Sequence, residues 1–244
     1  MSGKRDETLK ALDWRDRVDL ARNTNTTAKI LEILATDESE YVRRAVAENP
    51  SAPPEMLDRL AKYGDTNIRC AVAENPSAPA EVLEKLAADG EWLVRYAVAK
   101  NTSAPAGALM SSATAEEWEF RQSVAENPSA PAEVLVKLAM DETVFVREAV
   151  AGNIKTPADA LNKLAEDENW EVRWLVAENP STPGDTLMVL ATDEDLDVRE
   201  SVARNQKISP EVITNLLFSE ESDIRKALSE NPAVPEHIRV GLSL

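Results

Sequence analysis

Arginine recurs along this chain at one fixed interval: Arg17, Arg43, Arg69, Arg95, Arg121, Arg147, Arg173, Arg199 and Arg225 are each 26 residues apart. A row of guanidinium groups has two chemistries open to it. It can bind phosphates, as nucleic-acid readers do, or it can fork onto carboxylates. An aspartate stands six residues before the arginine in five cases, at Asp37, Asp89, Asp141, Asp167 and Asp193. The formal charge of −17 repels phosphate backbones and anionic membranes and favours a basic partner. The arginine column is therefore read as a structural ladder, with nucleic-acid binding as the alternative.

A second column is aromatic. Trp14, Trp92, Trp118 and Trp170 each lie three residues before an arginine, one helical turn away, where a ring can stack on it. Tyr96 and Trp174 follow four residues after Trp92 and Trp170, on the same helix face. The same column holds Glu40, Thr66 and Ser222 elsewhere, so it is not obligate core. Trp92, Tyr96, Trp118, Trp170 and Trp174 thus form a candidate binding strip, because such rings dominate interface hot spots. Gap filling between successive helices is the plainer alternative.

Other reactive groups are scarce. Cys70 and His237 are the sole cysteine and histidine. A nucleophilic thiol needs a base, and His237 belongs to the last repeat, so no catalytic residue is assigned. A zinc or iron–sulfur site of about four such ligands cannot be assembled from these two. The acidic stretches "DESE" (37–40) and "DEDLD" (193–197) lack the glycine and distal glutamate of a calcium loop and read as solvated turns. No cofactor or metal is expected.

The elements that position these columns follow from the other residues in register. Asparagine stands six residues after each arginine, at Asn23, Asn49, Asn75, Asn101, Asn127, Asn153, Asn179, Asn205 and Asn231. Proline lies four residues beyond it in seven of nine repeats, and leucine eight beyond in seven. In "VRxxVAxN" and "PAEVLEKLAAD" the apolar residues fall at helical spacing rather than alternating. Asparagine before proline is pushed out of the α region, so the first helix stops there. Asn49 and Pro50 can then open a short turn that Pro53 closes as the second helix begins. Two short helices cannot bury their apolar stripe alone, whereas stacked copies can.

The spacing predicts an all-α solenoid of nine two-helix repeats starting near 14, 40, 66, 92, 118, 144, 170, 196 and 222. Residues 1–13 are expected to form an N-terminal extension or cap, and 14–244 a single solenoid with a truncated last repeat. The stretch 101–120 carries Gly107, Ser111 and Ser112 where helix formers and leucine stand elsewhere, which predicts a weak point or bend.

The pattern "VRxxVAENPSAPxxxLxxLAxD" resembles the leucine-rich repeat variant family over nearly the whole chain. It is also similar to HEAT repeats. The resemblance implies a right-handed superhelix in which α-helices alternate with short or 3₁₀ helices, without β-sheet. Some relatives carry a cysteine-rich iron–sulfur segment near the N-terminus, which has no counterpart before Cys70. The function expected is a non-enzymatic scaffold presenting an extended curved surface to a protein or peptide. The alternative is a HEAT-like nucleic-acid-binding or base-repair protein. No apolar run is long enough to span a bilayer, and the "MSGKRDETLK" start has no secretory character, so a cytoplasmic location is expected.

Overall fold

The computed structural model describes residue 9 and residues 11–242; most of the expected N-terminal cap lies outside these. Among the described residues there are eighteen helices and no strand. They fall into two compact units, the first ending at Thr114 and the second beginning at Ala115. This division lies inside the glycine- and serine-bearing stretch 101–120.

Unit one contains α1 (Trp14–Arg22), α2 (Ala28–Leu34), α3 (Glu40–Glu48), α4 (Pro54–Tyr63), α5 (Thr66–Glu74), α6 (Ala80–Leu86), α7 (Trp92–Lys100) and α8 (Ala106–Ser112). Unit two contains α9 (Trp118–Glu126), α10 (Ala132–Leu138), α11 (Val144–Gly152), α12 (Ala158–Leu164), α13 (Trp170–Glu178), α14 (Gly184–Leu190), α15 (Leu196–Arg204), α16 (Pro210–Leu217), α17 (Ser222–Glu230) and α18 (Glu236–Leu242). Odd-numbered helices open each repeat, and even-numbered helices close it.

Each first helix stops at its asparagine, which adopts an extended backbone such as φ −77°, ψ 120° at Asn49. Proline after Asn49, Asn75, Asn127, Asn179 and Asn231 favours that conformation, and Asn101 adopts it before Thr102 as well, at φ −70°, ψ 122°. One turn follows, closed by Ala52 N–H donating to Asn49 O at 3.0 Å. Pro53 then stands at the N-cap of α4, and Pro79 and Pro131 do the same for α6 and α10. The second element is a short α-helix, closed in α6 by Ala87 N–H donating to Leu83 O at 2.8 Å.

Within unit one, α1 packs on α3, α3 on α5 and α5 on α7; within unit two the same relation runs from α9 through α11, α13 and α15 to α17. The leucine column forms the floor of this core: Leu31, Leu57, Leu83, Leu109, Leu135, Leu161 and Leu187 are all fully buried. Val46, Val72 and Val98, and Val150, Val176 and Val202, are buried opposite it. One turn departs from the pattern. Helix α4 runs ten residues and ends at Gly64, where a Cβ would lie 2.5 Å from Leu60 O and 2.6 Å from Ile68 Cγ2. Only glycine lets the chain pass this close to the next helix.

Candidate functional site

Two ladders of side-chain bonds join successive repeats within each unit. In the first, asparagine C-caps reach back to the preceding repeat of their unit. Asn179 Nδ2 donates to Ala151 O at 2.6 Å and to Asn153 O at 3.0 Å, while its Oδ1 accepts from Ser181 N–H at 2.8 Å. Asn49, Asn75 and Asn101 make the same reach in unit one, and Asn153, Asn205 and Asn231 in unit two. Asn127 Oδ1 likewise accepts from Ser129 N–H at 2.8 Å. These asparagines are buried, so their amides need partners. The carbonyls they bind are helix-end groups that have no partner within their own helix.

The second ladder uses the arginines and points the other way. Arg121 donates Nε to Asp141 Oδ2 at 2.6 Å and Nη2 to Asp141 Oδ1 at 2.9 Å, a two-pronged bond to the next repeat. Arg69–Asp89, Arg147–Asp167 and Arg173–Asp193 repeat this geometry, and Arg17 meets Asp37. Each aspartate therefore binds the arginine 20 residues before it. The arginine six residues after it takes only the aspartate's backbone carbonyl, as Arg147 does at Asp141 O, 2.9 Å. Where aspartate is missing the ladder adapts. Arg199 turns to Glu221 at 2.8 Å, and Arg225 to the carbonyl of Ser219. Arg43 bonds the carbonyls of Asp37 and Glu38, with Tyr63 standing where its aspartate would be. Arg95 binds Asp89 O at 2.8 Å.

The pairs sit in a partly dry setting: Arg173 and Asp193 side chains are 10% and 7% exposed. Burial alone would raise the Asp193 carboxyl. Hydrogen bonds from Arg173 and from the Asp195 amide, with the charges of Arg173 and Arg199, outweigh it and hold the group below the usual carboxylate range. Asp89 and Asp141 are lowered by the same balance.

Beside Trp14, Trp118 and Trp170 the ladder guanidinium groups of Arg17, Arg121 and Arg173 are held by carboxylates and carbonyls. In unit one Trp14 lies against Tyr41, 5.3 Å between ring centres, beneath the guanidinium of Arg15 rather than Arg17. Trp92 lies 6.0 Å from Tyr96, and Lys100 sits 5.4 Å above the Tyr96 ring. In unit two Trp118 lies 5.3 Å from Phe145. The tryptophans remain open to solvent: Trp92 is 53%, Trp170 41% and Trp118 36% exposed.

Phe145 also borders a cleft of about 600 Å³ on the first helices of unit two, together with Trp170, Trp174 and Leu175. Its remaining lining is charged: Glu148, Glu171, Glu178, Asp197, Glu200 and Arg204. Arg204 pairs with Glu200. Burial pushes the Glu148 carboxyl up, and the charge and hydrogen bond of nearby Glu171 push it further, against the pull of Arg147. A second hollow of about 650 Å³ lies beside Arg17 in unit one. It mixes Glu32, Asp37 and Glu38 with Arg17 and Arg59 and has no aromatic lining.

The structure therefore gathers Trp170 and Trp174 into one cleft and links Trp118 to it through Phe145, while Trp92 and Tyr96 form a separate pair in unit one. Phe145 and the cleft carboxylates escape a sequence reading. "VFVRE" looks like core, and the acids occupy columns that vary freely between repeats. Their signal is positional: they stand at the second, fifth and ninth places of the first helices. Cys70, at the fifth place of α5, is half-buried, and burial together with Glu74 raises its thiol. It stays protonated at neutral pH, a poor nucleophile.

Comparison with known proteins agrees with this register. The family profile described as Leucine rich repeat variant matches residues 66–91, 118–142 and 170–195, which begin at the first residues of α5, α9 and α13. The Leucine Rich Repeat Variant domain profile matches residues 15–74. A solved structure, described as a leucine-rich repeat variant with a novel repetitive protein structural motif, is 30% identical, covering 78% of this chain and 82% of its own, with a TM-score of 0.52. The chain belongs to the leucine-rich repeat variant family. A HEAT-like repeats protein from Thermococcus onnurineus aligns over 100% of this variant repeat chain and 94% of its own, at 16% identity and a TM-score of 0.25. No curated protein matches. Among the described residues of this leucine-rich repeat variant, no helix is long and apolar enough to cross a membrane.

Proposed function

We propose that this leucine-rich repeat variant is a non-catalytic scaffold that holds a protein or peptide segment against the exposed face of its first helices. The observation that carries the reading is the division of labour among its polar groups. The arginines and asparagines are spent on joining repeats, while the open face of unit two offers Trp118, Phe145, Trp170 and Trp174 among carboxylates. Large rings with a polar surround are the usual anchors of a protein interface. A phosphate-reading role would require Arg17, Arg69, Arg121, Arg147 and Arg173 to leave their aspartates, and the acids of this face would oppose it. The raised thiol of Cys70 speaks against nucleophilic catalysis there.

A photo-crosslinking residue placed at Glu126 of α9, and in a second variant at Glu133 of α10, tests this in cell extract. Both positions are exposed. Discrete protein adducts are expected from the first-helix position and not from the second-helix one. Equal adducts from both positions, or nucleic acid as the sole product, would overturn the scaffold reading.

A further inference from the structure

We infer that the cleft bordered by α11, α13 and α15 receives the cationic end of a lysine or arginine side chain from a basic segment of the partner. The inference rests on the scaffold reading and names the chemistry of what it holds. Three rings, Phe145, Trp170 and Trp174, supply the walls. The faces of aromatic rings carry negative potential and attract a cation within about 6 Å. Around them stand five carboxylates against one guanidinium. Arg204 already illustrates the pairing by engaging Glu200, which leaves Glu148, Glu171, Glu178 and Asp197 without a cation among the residues lining the cleft.

The neighbouring ladder does not supply one. Arg147 and Arg173 are committed to Asp167 and Asp193. Glu148 and Glu171 lie close enough to raise the Glu148 carboxyl, and a positive guest between them would relieve that repulsion. The volume of about 600 Å³ exceeds a side-chain head and leaves room for the backbone that carries it. An anionic or purely apolar guest would face uncompensated charge on every rim.

The test uses the intact chain with its tryptophan indoles observed by NMR. Signals are assigned with Trp170→Phe and Trp174→Phe variants. The probes are the blocked peptide Gly-Gly-Arg-Gly-Gly, its lysine counterpart, and a version with neutral citrulline in place of arginine. Saturable shifts of the Trp170 and Trp174 signals are expected with arginine or lysine and not with citrulline. The double variant Glu148→Gln, Glu171→Gln should weaken binding about tenfold or more, with the Trp14 signal unmoved as evidence of an intact fold.

Equal shifts with citrulline would overturn the inference, because the guest would then not be chosen for its charge. Absence of saturable shifts with either cation up to about 10 mM would also overturn it. Shifts confined to Trp14, Trp92 or Trp118 would sink the cleft assignment yet leave the scaffold reading standing. Failure of the crosslinking contrast would sink the scaffold reading instead.

Discussion

Replacing Asn179 isolates what the asparagine ladder contributes. Its Nδ2 hydrogens reach Ala151 O at 2.6 Å and Asn153 O at 3.0 Å. Ala151 lies in the last turn of α11, where carbonyls have no intrahelical donor, so Asn179→Ala leaves a buried acceptor bare. Asn153 O loses less, since Thr156 N–H still donates to it at 3.0 Å. An orphaned buried acceptor costs about 1–3 kcal/mol and a lost ordinary hydrogen bond about 1 kcal/mol, so the substitution should cost about 2–4 kcal/mol. Asn179→Asp sharpens the test. The aspartate keeps the shape and can still accept from Ser181 N–H, but it brings a negative oxygen against two carbonyls. It should be at least as damaging as alanine. Urea unfolding gives the global loss, and amide hydrogen exchange shows where it falls, which should be α11 and α13 first. Wild-type stability in Asn179→Asp would refute the argument, because donation, not shape, would then be dispensable.

Asp193→Asn should cost about 3 kcal/mol, since it strands a buried Arg173; thermal unfolding measures it, and a neutral result would mark the pair as replaceable. Asp89, Asp141 and Asp193 have lowered folded-state values, so their stabilisation is complete above the ordinary value of 3.8 and drains away as pH falls below it. An acid titration of wild type should therefore show a stability loss below that pH that is smaller in Asp193→Asn. Gly64→Ala forces a Cβ against Leu60 O and Ile68 and should destabilise by about 1–3 kcal/mol, read as a shift in the urea midpoint. Helix α8, with Gly107 and Ser111 on weak helix-forming positions, should exchange its amides faster than α6 and α10; equal protection would contradict the propensity argument.

The period and the helix pair are legible in the sequence because burial constrains the same columns in every copy. Leu83, Leu109 and Leu135 cannot vary without opening a void, so their spacing declares the fold. The partner of each ladder aspartate is not legible in the same way. Asp141 stands six residues before Arg147 and 20 after Arg121, and with a fixed period one spacing implies the other. Only three-dimensional packing decides that its carboxylate faces Arg121. Asn49 reads as a turn former from its proline neighbour, and its Oδ1 does accept from Ser51 N–H. The backward reach of its Nδ2 becomes visible only once Ala21 O lies beside it. The cleft is the least legible part. Phe145, Glu148 and Asp197 stand in columns that change from repeat to repeat, and nothing in their spacing ties them to Trp170 until successive first helices are laid side by side.

The two ladders point in opposite directions along the chain, asparagine toward the preceding repeat and arginine toward the following one. A copy such as that of Arg173 and Asn179 thus carries both halves of a coupling, like a link with a hook at one end and an eye at the other. Whole copies can be spliced in or out of such a chain without a new joint being invented, whereas a gain or loss of a single residue misaligns hook and eye together. Size should therefore change in quanta of one full repeat, and the uninterrupted 26-residue register is what growth by duplication under that constraint would leave behind.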